Sequence, residues 1–447
     1  MKPFRIGAGA GYAGDRIDPA VALAERGALD ALVFECLAER TIALAQLRRS
    51  RDPALGYDPL LHARMRAVLP ACVRNRVTLI SNMGAANPPA AGAAVCEVAR
   101  ELGVPGLRVA VLTGDDVLAW VRTNDVALLD AAGAVRASDL GDRLISANAY
   151  LGADALVPAL ASGADVVITG RVADPALFLA PLMHHFGWAA DDWLRLGQGV
   201  LVGHLLECGA QVSGGYIADP DVLDVPALHD VGFPLAEVSA DGTAVITKLP
   251  GTGGRVDRLS CTAQLLYEID DPARYRQPDV VADFSRVQLR ELGDDRVSAC
   301  GAGGTPRPAE LKATIGYRDG WIGEGQISYA GPGARERGAL ALEVLRLRLR
   351  RIGLGNNETR SELIGVNAMH GPQLGRDREP YEVRVRLAVR CATQGDAESV
   401  GQEVEALYLN GPAGGGGVTQ SVREVIAAAS AMVPRGAVQP AVQVFEP

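Results

Sequence analysis

FRIGAGAGYAGDRIDPAVALAERGALDALVFE, residues 4–35, decides the fold class. A short apolar run at 4–6 leads into glycines. Pro19 follows Asp18, as an N-cap residue followed by the first residue of a helix. A second apolar run, 31–35, ends on Glu35. The runs are solidly apolar rather than alternating, as in strands buried on both faces. Further runs occur at 78–82, 108–113 and 166–169, with helical stretches near 19–27, 37–50, 59–73, 89–102, 153–162 and 174–186. This order predicts an α/β fold with a mostly parallel sheet and flanking helices.

A longer helix is expected near 191–210, followed by the proline-rich stretch holding Pro220, Pro226 and Pro234. The second half reads differently. Residues 245–249, 280–292, 311–317, 325–330 and 382–392 alternate like half-buried strands. In the last, Val383, Val385, Leu387 and Val389 alternate with Arg384, Arg386, Ala388 and Arg390. Such a strand has one wet face. Helices are expected near 333–351, 396–409 and 420–432. The predicted organisation is an α/β domain over 1–240, then a smaller α+β domain over 241–447.

Composition narrows the function. The 447 residues are 48% hydrophobic and 22% charged, which excludes disorder. The net charge of −9 disfavours a nucleic-acid or membrane-surface binder, and no apolar stretch is long enough to span a bilayer. The seven cysteines are scattered, with no CxxC, and the N-terminus lacks a hydrophobic signal region. A cytoplasmic bacterial protein is expected. Lys2, Lys248 and Lys312 are the only lysines among 44 basic residues.

The candidate chemistry lies in loops after the strands, where open α/β sheets bind ligands. Gly9, Gly11 and Gly14 form GxGxxG, and Glu35 comes after them at dinucleotide-fingerprint spacing. Asp15 and Asp18 sit where a pyrophosphate would need positive potential. Glu35 is a candidate general base. Asn82 could hold a developing oxyanion. Asn87, before Pro88, reads as a helix N-cap that could also meet substrate. Thr169 and Arg171 lie at and after the end of the strand at 166–169; Arg171 could clamp a carboxylate or phosphate, or pair with Asp174. His204 and Glu207 share a helix face, as acid–base partners or as two metal ligands lacking a third. Arg255 ends the loop 251–255. Gly414 and Gly415 lie in a glycine run expected to enter a helix whose capping box is Ser421 and Glu424, and so to present N–H groups to an anion.

SNMGAANP (81–88), TGRVADPAL (169–177), GHLLECGAQVSGGY (203–216), YAGPGA (329–334) and NGPAGGGG (410–417) together resemble the acyclic terpene utilisation AtuA family. The resemblance runs from about residue 4 to 430. It implies a place in bacterial catabolism of acyclic terpenoids through acyl-CoA intermediates, and no settled catalytic residues. The expected function is an enzyme acting on a carboxylate or acyl-CoA thioester by proton abstraction or addition–elimination beside a carbonyl, in hydratase or lyase fashion. Coenzyme A would serve as substrate carrier, with no metal, and the chain is expected to be a homo-oligomer. The alternatives are a non-catalytic ligand-binding subunit and a nicotinamide-dependent oxidoreductase.

Overall fold

A computed structural model describes residues 2–129, 135–371, 373–374 and 379–446. Its elements run β1 (Phe4–Ala10), α1 (Asp18–Arg26), β2 (Ala31–Phe34), α2 (Glu39–Arg51), α3 (Leu61–Asn75), β3 (Thr78–Ser81), α4 (Pro88–Glu101) and β4 (Val109–Thr113). Then come α5 (Leu118–Asn124), α6 (Ala137–Leu140), β5 (Leu144–Ala149), α7 (Ala153–Ala161), β6 (Val166–Thr169), α8 (Ala176–Phe186) and α9 (Trp193–Glu207). The middle of the chain holds β7 (Pro234–Val238), β8 (Ala244–Lys248), α10 (Arg258–Leu265), β9 (Tyr275–Arg276), β10 (Val281–Asp283), β11 (Gln288–Gly293), β12 (Arg296–Cys300) and β13 (Gly303–Thr305). The last part holds β14 (Glu310–Ala330), α11 (Ala334–Arg351), β15 (Thr359–Ile364), β16 (Glu382–Cys391), α12 (Gln394–Glu405), α13 (Leu407–Asn410), β17 (Gly416–Pro434) and β18 (Ala441–Phe445).

The chain forms two compact units, Met1–Gly316 with Ala428–Pro447, and Tyr317–Ala427. The first is built on a ten-stranded sheet ordered β11-β12-β8-β7-β1-β2-β3-β6-β4-β18. β1, β2, β3, β6 and β4 are mutually parallel, as the apolar runs predict. Alternate strand residues feed two cores. Val33, Ile80, Ala110 and Val167 pack with α7, α8 and α9. Leu32, Leu79, Val111 and Ile168 pack with α1, α3 and α4. The result is three layers, with the five parallel strands ending on one edge.

The expected division near 240 does not coincide with these units. β7 pairs antiparallel with β1, and β8 and β12 extend the sheet from there. Ladder hydrogen bonds thus tie residues 234–300 into the first unit. β18 returns to β4 and closes the far edge.

The second unit contains α11, β15, β16, α12 and α13, with portions of β14 and β17. The alternation along β16 is as expected: Val383, Val385, Leu387 and Val389 join α11 and α12 in a core. Arg386 pairs with Glu324 and Glu362, and Arg390 with Asp319 and Glu358. Three expectations change. Residues 311–317 and 325–330 belong to one strand, β14. Residues 280–292 divide between β10 and β11. The helix expected at 420–432 is strand β17, so the glycine run enters a strand and not a helix N-terminus.

Candidate functional site

The site is built from the residues just beyond the carboxyl end of each parallel strand. β2 ends at Phe34, and Glu35 comes next; β3 ends at Ser81, and Asn82 comes next. Because β2 and β3 are neighbours, these two side chains meet. Asn82 Nδ2 donates to Glu35 Oε1 at 2.9 Å, and the Leu37 N–H donates to the same oxygen at 2.8 Å. Asn82 Oδ1 accepts the Cys36 N–H at 2.7 Å. The amide therefore orients the carboxyl through both of its ends.

Arg171, after β6, is buried to 1% exposure. Its Nε donates to the Val172 carbonyl at 2.8 Å, its other nitrogens reach the Leu37 and Val172 carbonyls, and it pairs with Asp174. Its guanidinium lies 4.5 Å over the Tyr150 ring. The Tyr150 hydroxyl donates to Glu39 Oε1 at 2.7 Å, and Lys312 Nζ donates to that oxygen at 3.0 Å. Asp115, after β4, accepts the Arg171 N–H at 3.0 Å and Asn148 Nδ2 at 2.8 Å. On α9, His204 Nδ1 lies 2.8 Å from Glu207 Oε1, and Nε2 lies 3.3 Å from the Leu265 carbonyl.

The electrostatics separate the carboxyls by role. Burial pushes the Glu35 carboxyl above its ordinary range; Arg171 and the two hydrogen bonds oppose this, and Glu207 adds repulsion. Burial raises Asp174 much further, against Arg171 and with help from Glu35 and Glu207. Asp115 is pushed up to about 6, chiefly by burial. Glu39 goes the other way. Burial disfavours its charge, but the bonds from Tyr150 and Lys312 win and hold it at about 2. Among the described residues, Glu207 Oε2 is buried with no hydrogen-bond partner. Burial also raises the Tyr275 hydroxyl, and Glu207 and Asp174 push it higher. Glu207 thus repels the carboxyls of both Glu35 and Asp174, and Arg171 attracts both.

A sequence model of the acyclic terpene utilisation family protein AtuA matches residues 4–444. The chain belongs to the AtuA family. No curated protein and no solved structure matches it.

In this AtuA-family chain, Glu35, Asn82, Arg171, His204 and Glu207 occupy these strand-end loops and α9, with two changes of part. Asn82 orients Glu35, where the sequence suggested an oxyanion contact. Arg171 bonds to protein carbonyls and to Asp174, where a substrate clamp was one expectation. α8 begins at Ala176, and the Asp174 carboxylate turns to Arg171, the pairing the sequence also offered. Thr169 is buried, and its hydroxyl donates to the Gly170 carbonyl.

The remaining candidates are engaged by the protein. A Cβ on Gly11 would overlap the backbone of Cys208 and Gly209, and one on Gly9 would lie 2.8 Å from the Phe34 ring. The Gly11 N–H donates to Asp15 at 2.8 Å, and Arg64 binds the carbonyls of Tyr12, Ala13 and Asp15. This loop is therefore held by the segment after α9 and by Arg64, and its N–H is spent on a carboxylate rather than offered to a pyrophosphate. Asn87 precedes α4 without capping it; Nδ2 donates to the carbonyls of Pro53 and Leu55. Arg255 pairs with Asp257. Gly414 and Gly415 lie in the second unit. Sequence reasoning missed Asp115, Tyr150, Glu39 and Tyr275, which no motif marks. A cavity of about 210 Å³ lined by Cys72, Thr78, Leu107 and Val166 opens at the other, amino-terminal edge of the sheet.

Proposed function

We propose that this chain is an enzyme that moves a proton at the carbon beside a thioester carbonyl, in the hydration or dehydration of a branched acyl-CoA. The observation that carries the reading is Glu35, a buried carboxyl aimed by Asn82 and raised by burial above its ordinary range. In the hydration direction the Glu35 acid gives its proton to Cα as water adds at Cβ. The proton lost by that water passes to a second carboxylate, for which Glu207 has a buried, unpartnered oxygen.

The engagement of Arg171 bears on the substrate. The hydrogen bonds of Arg171 already go to protein groups and to Asp174, so this guanidinium is not free to hold a carboxylate at the reacting end. A thioester carbonyl is neutral and needs no such cation. The family's association with acyclic terpene utilisation fits a branched acyl chain. Coenzyme A would be the carrier, and the chain is read as a homo-oligomer.

The test is solvent deuterium incorporation at Cα of an unsaturated branched acyl-CoA, followed by mass spectrometry. The expected result is exchange by the wild type and a loss of about 10²–10⁴-fold in Glu35→Gln, with thioester affinity kept within a few-fold. Gln retains an oxygen for the Leu37 and Asn82 donors, so the fold should survive. Thioester binding without exchange in the wild type would replace this reading with that of a non-catalytic ligand-binding subunit.

A further inference from the structure

The second unit holds a buried hydroxyl that the Glu35 reading does not use. Tyr329, on β14, is 0% exposed. Among the described residues its hydroxyl has no hydrogen-bond partner. Native proteins rarely leave such a group unmet, and each instance asks for water, a ligand or a movement. What covers it is the glycine run. A Cβ on Gly415 would lie 3.1 Å from Tyr329 Cε1 and 3.2 Å from Cζ, so the loop rests on the hydroxyl end of the ring.

Arg337, on α11, stands beside the same loop. It donates to the carbonyls of Ala330 (2.7 Å), Pro332 (3.1 Å), Gly333 (3.3 Å) and Ala413 (3.0 Å). Among the described residues no carboxylate pairs with it. The bond to Ala413 is the one that belongs to the glycine loop. Gly414 and Gly417 have φ of +75° and +66°, which favours glycine. Gly416 has neither a positive φ nor any atom within 4 Å of an added Cβ. The covered conformation does not require glycine there, whereas a loop that adopts a second conformation would benefit from it.

We propose that the loop 411–415, together with the first residues of β17, covers an oxyanion-binding site, in which the Tyr329 hydroxyl and the Arg337 guanidinium donate to a carboxylate or phosphate. Lifting the loop breaks the Arg337–Ala413 bond. That frees one guanidinium donor and uncovers the hydroxyl together, so both face the space the loop has left. Burial raises the Tyr329 hydroxyl above its ordinary range, which keeps it a donor at neutral pH. The site does not depend on the Glu35 reading.

The experiment uses the full chain, with inorganic phosphate and isovalerate titrated separately by calorimetry and thermal unfolding. The expected result is that one of the two anions binds and raises the unfolding midpoint, with the dissociation constant weakened at least tenfold in Tyr329→Phe. Which anion binds identifies the source of the oxyanion. Without ligand, Tyr329→Phe should unfold at the wild-type temperature or above it, because an unmet hydroxyl is removed. Amide exchange at Gly414–Gly417 should be fast in the free chain and slowed by the anion. The proposal is overturned if neither anion binds, if Tyr329→Phe binds as the wild type does, or if it unfolds earlier without ligand.

Discussion

Asn82 spends its two polar ends on two neighbours, the Cys36 N–H and the Glu35 carboxyl. Asn82→Asp would keep the first contact and place a second carboxylate against Glu35. The folded-state carboxyl pair would then bind protons more tightly than the unfolded chain does. Stability is fully present below the unfolded pKa values and is lost as pH rises through the folded ones. The expected loss is about 2–4 kcal/mol at pH 8 and clearly less at pH 5, read by urea denaturation. Equal losses at both pH values would mean that the amide does not face a titrating Glu35. At this scale the sequence was half legible. Glu35, Asn82 and Arg171 stand out because polar residues come after apolar strand runs at a sheet's carboxyl edge. Their partners were not legible, because Tyr150 and Tyr275 arrive from the end of β5 and from β9, far along the chain.

Among the elements, the five parallel strands were readable because each is a short, mainly apolar run between helical stretches. β17 was not. Its buried positions include Ala429, Ala431 and Val433, a period of two written largely in alanine. Alanine offers little contrast to a period search and has the highest helix propensity. Pairing within the sheet overrode that preference. The start of α4 allows a direct test of another element-level reading. Asp is as good an N-cap as Asn, so Asn87→Asp would be nearly neutral if the side chain capped the helix. In the structure the Nδ2 donor fastens the carbonyls of Pro53 and Leu55. Asn87→Asp is therefore expected to lose about 1–3 kcal/mol in chemical denaturation. An unchanged midpoint would restore the capping role.

For the whole molecule, buried aspartates set a pH dependence opposite to that of most carboxylate-paired proteins. Asp115 and Asp279 are fully buried, and burial pushes each up to about 6. Asp279 accepts the N–H groups of Ala153 and Asp154 at the start of α7, and Asp115 holds the loop after β6. Their folded pKa values lie above the unfolded value of 3.8, so their contribution is complete below about pH 4 and is lost as pH rises through about 6. Each shift of about two units corresponds to roughly 3 kcal/mol at most. Glu39, held at about 2, works in the other direction, losing its contribution as pH falls from 4.5 toward 2. Together these three groups place maximum stability on the acid side, near pH 4–5. Asp279→Asn separates the two functions of its carboxyl. It gives up one of two N–H contacts, so below pH 4 it should be about 1 kcal/mol less stable than the wild type. It also has no charge to bury, so at pH 8 it should be the more stable protein. Urea midpoints measured from pH 4 to 8 should therefore cross. Parallel curves would show that Asp279 titrates alike in the folded and unfolded chain, and that its burial is offset by the helix it caps.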